Sequence, residues 1–166
     1  MSLEDRKTGM ENISNRALIS RLYSSADEQV ELADYDENNW SQWYQLVQQL
    51  TGPEKIVYVM VKLNQNVTSG GFAQFYENSF GIFAPEIIHV LNEINAIATA
   101  EILSSSLPVV NPSGLLDDAY KEFIFKIQLS SEQREQLQTQ DILYDQLHGQ
   151  ENLEDLLGAY LKEMIK

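Results

Sequence analysis

The sequence predicts an all-α fold, a single multi-helix domain of about seven or eight helices spanning residues 1–166. Three observations lead there. Apolar residues recur at helical spacing in most segments. No segment shows convincing strand alternation. Gly and Pro fall in short turns, with no long linker, internal repeat or low-complexity block. A chain of 166 residues, 43% of them hydrophobic, fits one domain with a real core; at that size roughly 70% of the unfolded surface is buried on folding.

The elements follow in order. Residues 1–11 are expected to be a flexible N-terminus. Ile13, Ala17 and Leu22 suggest a first, weakly patterned helix, and the polar stretch 26–39 reads as a loop or short helical turn. Ser41 is placed to cap the next helix, whose Trp43, Leu46, Val47 and Leu50 sit at i, i+3, i+4 and i+7. Gly52 stops it and Pro53 starts the next. The run IVYVMVKL (56–63) fits either a strand or a buried helix on propensity alone. Pro85 and Glu86 start a helix with Ile87, Leu91 and Ile94 on one face. Another runs through residues 97–107 and ends at Pro108, and residues 108–114 form a turn. Leu116, Tyr120, Phe123 and Ile127 make the next stripe. Ser130 and Gln133 form a capping-box pattern. The last helix carries Leu153, Leu156, Leu157, Tyr160, Leu161 and Met164, with acids at its positive end and Lys162 and Lys166 at its negative end.

Composition excludes several chemistries. There is no cysteine, so disulfides, thiolate metal sites and a Cys nucleophile are ruled out. His89 and His148 are far apart, which disfavours a histidine metal site. No cofactor is expected, and no apolar run reaches the ~18 residues of a membrane span. The N-terminal MSLEDRKTGMEN lacks the pattern of a secretory signal peptide, so the cytoplasm is the expected location. Twenty-five acidic residues against eleven basic ones give a net charge of −14. Direct binding to nucleic acid or an anionic membrane is therefore disfavoured, and a basic partner would be drawn in. The blander reading is that the acidity serves solubility.

Residues 66–81 read NVTSGGFAQFYENSFG. A glycine pair at a helix start can cradle phosphate, but a Walker-type loop needs a following Lys-Ser/Thr. Here Phe72-Ala73-Gln74 follows, and no Lys or Arg occurs between Leu63 and Tyr120. The structural reading is a helix capped by Ser69 and beginning near Gly70, with Phe72, Phe75 and Tyr76 at core spacing. Gln74 and Asn78, four apart, would bond to backbone in adjoining loops. Adjacent acid pairs such as Asp117-Asp118 diverge around a helix and suit its end charge better than two-carboxylate catalysis.

Two acidic stretches remain. Residues 27–37 hold Asp27, Glu28, Glu31, Asp34, Asp36 and Glu37, with no Lys or Arg between Arg21 and Lys55. Residues 141–155 hold Asp141, Asp145, Glu151, Glu154 and Asp155, again without Lys or Arg. Were residues 27–37 helical they would span ~16 Å, about one charge per 2.7 Å, which approaches the ~1.7 Å of duplex DNA. The alternative is a solvated acidic face.

The segment VTSGGFAQFYENS (67–79) resembles a bacterial family of unknown function whose described member is a DNA-mimic protein. The family pattern is E-V-x-N-G-G-F-x-Q-F-F-x-N-S after an apolar helix. Gly70, Gly71, Phe72, Gln74, Phe75, Asn78 and Ser79 match it. The resemblance covers roughly residues 40–165. Ser69 stands where the family has Asn, Asn66 where an acid is common, and Asn95-Ala96 where Gly-Ala is usual. The resemblance implies an all-helical fold, which turns IVYVMVKL into a helix. It also makes DNA mimicry a named hypothesis, although no motif residue carries the acidic surface that mimicry needs. Together with the two base-free acidic stretches, it leads to the expectation of a non-enzymatic protein that occupies the basic surface of a DNA-binding regulator or nucleoid protein, with the eleven acids above as the contact surface. A homodimer is compatible with it. The competing reading is a small module that binds a protein through an apolar groove.

Overall fold

The computed structural model describes residues 12–147 and 150–166. They form eight α-helices and one 3-10 turn, and no strand occurs among them. The all-α expectation holds. The expected N-terminal segment 1–11 and His148 lie outside the described residues. The expectation of one domain meets a chain whose described residues cluster in two units, 12–58 with 152–166 in one and 59–147 with 150–151 in the other.

In the first unit, α1 (Asn15–Leu32) starts at Ser14, whose hydroxyl accepts the Ala17 N–H. Its buried stripe is Leu18, Leu22, Ala26 and Val30, one residue every turn. This corrects two expectations. Ala17 is exposed, and the helix runs through the acidic stretch to Leu32, because Ala26 and Val30 continue the apolar face between the acids. The helix α2 (Trp40–Gln48) is capped by Asn39, whose Oδ1 accepts the N–H groups of Ser41 and Gln42; Ser41 is thus a capped residue, not the cap. Trp43, Val47 and Leu50 are buried as expected.

The next helix, α3 (Gly52–Glu77), begins with a reciprocal cap. Thr51 Oγ1 accepts the Glu54 N–H, and the Thr51 hydroxyl donates to Glu54 Oε1 at 2.8 Å. Glu54 also accepts from Ser25 and Gln29 of α1. The final helix, α8 (Leu153–Ile165), packs on α1. Gly158 lets the two approach, since a Cβ there would lie 2.5 Å from the Asn15 Cβ. Leu157 and Leu161 are buried, whereas Met164 is exposed.

IVYVMVKL (56–63), whose residues from Val59 onward belong to the second unit, continues α3 as a helix, with residues 56–60 all buried. Hydrophobicity all round marks a buried helix and masks its period, which is why propensity left the run undecided. The 3-10 turn Phe80–Phe83 leads into α4 (Ala84–Glu93), with Pro85 in its first turn. The helix α5 (Ile97–Val110) contains Pro108 instead of ending at it. Proline removes one N–H near the end of the helix, and the carbonyl left over belongs to the exposed Ser104. In α6 (Asp117–Ile124) the buried residues are Tyr120 and Ile124. Leu116 and Phe123, expected in that stripe, are exposed. The helix α7 (Ser131–Gln146) carries the expected capping box between Ser130 and Gln133.

Burial pushes the phenols of Tyr58, Tyr76, Tyr120 and Tyr144 well above their ordinary value. Hydrogen bonds from Trp43 and with Ser106 offset part of this at Tyr58 and Tyr76. The folded pKa exceeds the unfolded one, so these groups stabilise the fold below about pH 10, and that contribution is lost as pH rises further. In an alkaline titration followed by phenolate absorbance, four of the eight tyrosines should ionise only as helicity is lost. Reversible ionisation of all eight with helicity intact would contradict the buried placement.

Candidate functional site

The glycine pair breaks α3. Gly70 has φ −146°, ψ 17° and Gly71 has φ 75°, ψ −178°. The latter is a region open essentially only to glycine. The chain folds back sharply there. Asn66 and Asn78, twelve positions apart, would be ~18 Å apart along a straight helix. Instead Asn78 Nδ2 donates to Asn66 Oδ1 at 2.8 Å, and Gln74 Nε2 donates to the same oxygen at 3.2 Å. The Asn66 amide donates to the Lys62 carbonyl, so this buried side chain is satisfied at both ends. Gln74 and Asn78 thus pair with Asn66, not with loop backbone.

Ser69 does not cap the second half of α3; Asp141 of α7 does. Its Oδ1 accepts the Phe72 N–H at 2.7 Å. The N-terminus that a phosphate would occupy in a glycine-loop site therefore already holds a carboxylate from this chain. Burial raises the Asp141 pKa, and the Phe72 N–H pulls it partly back.

The other motif residues are equally committed. Phe72, Phe75 and Tyr76 are fully buried. Phe75 meets Tyr76 edge-on, and Phe72 meets Tyr144 in the same way. The Tyr76 hydroxyl lies 2.6 Å from Ser106 Oγ. Ser79 takes a left-handed φ of 71°, and its hydroxyl accepts the Lys126 N–H. Glu77, between them, forms an ion pair with Arg134 at 2.6 Å. The motif holds a fold-back together.

The eleven acids separate into two sets. In residues 141–155 most are engaged within the chain. Asp141 is half-buried under the glycine pair. Glu151 Oε2 accepts the Thr99 N–H at the start of α5. Glu154 pairs with Arg16 at 2.9 Å and Asp155 accepts from Asn15, which ties α8 to α1. Asp145 is exposed. By chain position Asp141, Asp145 and Glu151 belong to one unit and Glu154 and Asp155 to the other.

The set at 27–37 lies wholly in the first unit. Asp27, Glu28 and Glu31 sit in the C-terminal half of α1, off its buried stripe, and no basic residue occupies the last turn. Asp34, Asp36 and Glu37 are exposed in the loop to α2. The charges therefore do not form one helical rod, as the spacing estimate for residues 27–37 supposed. Asp36 Oδ1 accepts the Asn38 N–H, and the Asp36 N–H donates to Gln42 Oε1, which fixes this loop. Burial, and after it the nearby charges of Glu31 and Glu37, raise the Tyr35 phenol. Acids in this position oppose the helix dipole and one another at i, i+3 and i, i+4.

In the second unit a groove of about 460 Å³ lies between α5 and α7. Ile102, Leu143 and Leu147 share its lining with Glu101, Ser105 and Gln146, and its surface is mainly apolar. His89 is exposed and pairs with Glu93. Among the described residues no group of three or more His, Cys, Asp or Glu could hold a metal ion. No described helix is long and apolar enough to cross a membrane.

The family model described as DMP19-like protein matches residues 48–164. The chain belongs to the DMP19-like protein family. This is the DNA-mimic-related family to which the motif at 67–79 pointed. No curated protein and no solved structure matches the chain. The region shared with the DMP19-like family contains the fold-back and the acids at 141–155, but begins after the acids at 27–37. The exposed acidic segment lies outside the matched part. Sequence reasoning missed Asn66 and the inward role of Asp141. Their partners are 12 and 69 residues away, beyond any local pattern.

Proposed function

We propose that this protein works by binding and not by catalysis, as a DNA mimic in the cytoplasm. Its acidic segment, Asp27, Glu28, Glu31, Asp34, Asp36 and Glu37, takes the place of DNA phosphates against the basic surface of a DNA-binding protein. The observation that carries this reading is the placement of the six carboxylates. Glu28, Glu31, Asp34, Asp36 and Glu37 are exposed and Asp27 is half-buried beside them, around the end of α1 and the following loop, in a stretch with no Lys or Arg from residue 22 to 54. Charges set against their own helix dipole do not serve its stability, so another use for them is needed. Membership in a DNA-mimic-related family supports the same reading. Carboxylates accept charge-assisted hydrogen bonds from Lys and Arg as phosphates do, and a net charge of −14 speeds encounter with a cation. Of the second set, only Asp145 is offered as a further contact.

The test is competition. The immobilised protein is exposed to the DNA-binding fraction of a bacterial lysate at low salt, then washed with duplex DNA or with an uncharged polymer. Duplex DNA should release the retained protein, as should high salt. If nothing is retained, or if DNA leaves the retained protein in place, the mimicry reading fails.

A further inference from the structure

The acidic surface is interleaved with aromatic residues. Tyr35 sits between Asp34 and Asp36 in the loop, and Trp40 and Tyr44 lie on the first turns of α2 directly after it. All three are half-buried, so part of each ring stays accessible. The Trp40 and Tyr44 rings meet edge-to-face with centroids 6.2 Å apart. The loop is tied to α2 by the 2.8 Å bond from the Asp36 N–H to Gln42 Oε1. Asn39 Oδ1, accepting from Ser41 and Gln42, fixes the start of the same helix. Acids and rings are therefore held together in one short segment.

We propose that this segment is an acidic–aromatic surface that selects arginine over lysine side chains on its basic partner, with Tyr35, Trp40 and Tyr44 as the selective groups. The inference rests on the mimicry reading and adds the chemistry of the partner's contact residues. A bare carboxylate cluster attracts both cations. A ring face distinguishes them, because the planar, weakly hydrated guanidinium stacks on it while still donating two parallel hydrogen bonds to a carboxylate. The lysine ammonium is a strongly hydrated point charge and gains less. The negative field of Glu31 and Glu37 at the Tyr35 ring reinforces the attraction of a cation to that face.

Titration calorimetry with octa-arginine and octa-lysine at low salt tests this. The native protein should bind octa-arginine about five- to tenfold more tightly. In the variant Tyr35→Leu/Trp40→Leu the two affinities should converge, octa-arginine binding weakening several-fold more than octa-lysine binding. Where the double variant loses helicity, the loop change Tyr35→Leu alone supplies the comparison. Equal affinities in the native protein, or an undiminished preference in a folded variant, overturn the selectivity and leave the mimicry reading standing. Absence of binding to either peptide overturns both.

Discussion

Replacing Gly71 by valine should lower the stability of this protein by about 4 kcal/mol and its melting temperature by roughly 8–16 °C. Three effects add. A φ of 75° with ψ near 180° is closed to a β-branched residue, at a cost of about 1–3 kcal/mol. A Cβ at this position would lie 2.5–2.9 Å from the Asp141 carboxylate, which cannot yield without leaving the Phe72 N–H. Losing that charge-assisted hydrogen bond costs about 1.5–3 kcal/mol. Gly114 separates the terms. It also has a positive φ, 67°, but nothing lies within 4 Å of its would-be Cβ. Gly114→Ala should therefore show the cost of a positive φ without a collision, and Gly71→Ala a larger shift, from its glycine-only backbone region and the collision with Asp141. Thermal unfolding of the pair reads the difference. Equal shifts would mean that Asp141 does not hold the fold-back, and a silent Gly71→Val with altered binding would make the motif a contact site.

The sequence showed the parts of this structure that are written at short range. The stripe of α2, the capping box of α7, the proline start of α4 and the core spacing of Phe72, Phe75 and Tyr76 all follow from neighbours within one or two turns. What was not legible has a physical reason in each case. The extent of α1 was hidden because Ala26 and Val30, its buried residues, stand among charges that read as loop. Leu116 and Phe123 matched the period of α6 but face solvent, since periodicity names a stripe without saying how much of it a neighbour covers. The fold-back itself depends on Asn66 and Asp141, polar residues whose partners are distant in sequence. An acid at position 141 looks the same to sequence reasoning whether it turns outward to a partner or inward to a backbone N–H. That ambiguity is why the second acidic stretch was counted as surface when most of it is engaged within the chain.

Neutralising the six acids at 27–37 should separate binding from folding. In the variant carrying Asp→Asn and Glu→Gln at these positions, affinity for the retained DNA-binding protein should fall by about two to four orders of magnitude, from about 0.5–1 kcal/mol for each exposed pair lost. Stability should not fall with it. Glu31 in the last turn of α1 works against the helix dipole, and the pairs Asp27–Glu31 and Glu28–Glu31 repel, so relief of these terms should stabilise α1 by about 1 kcal/mol. Asn at position 36 keeps the Oδ1 acceptor that the Asn38 N–H uses, so the loop loses no hydrogen bond there. The contrasting variant neutralises Glu154 and Asp155. Their bonds to Arg16 and Asn15 hold α8 to α1, so it should weaken the fold slightly and leave affinity close to native. The two outcomes are opposite in sign on stability, and only the first includes a loss of affinity. A melting temperature that drops with the first variant, or an affinity that survives it, would move the contact surface away from α1. A loss of affinity with the second variant at unchanged stability would move it to α8.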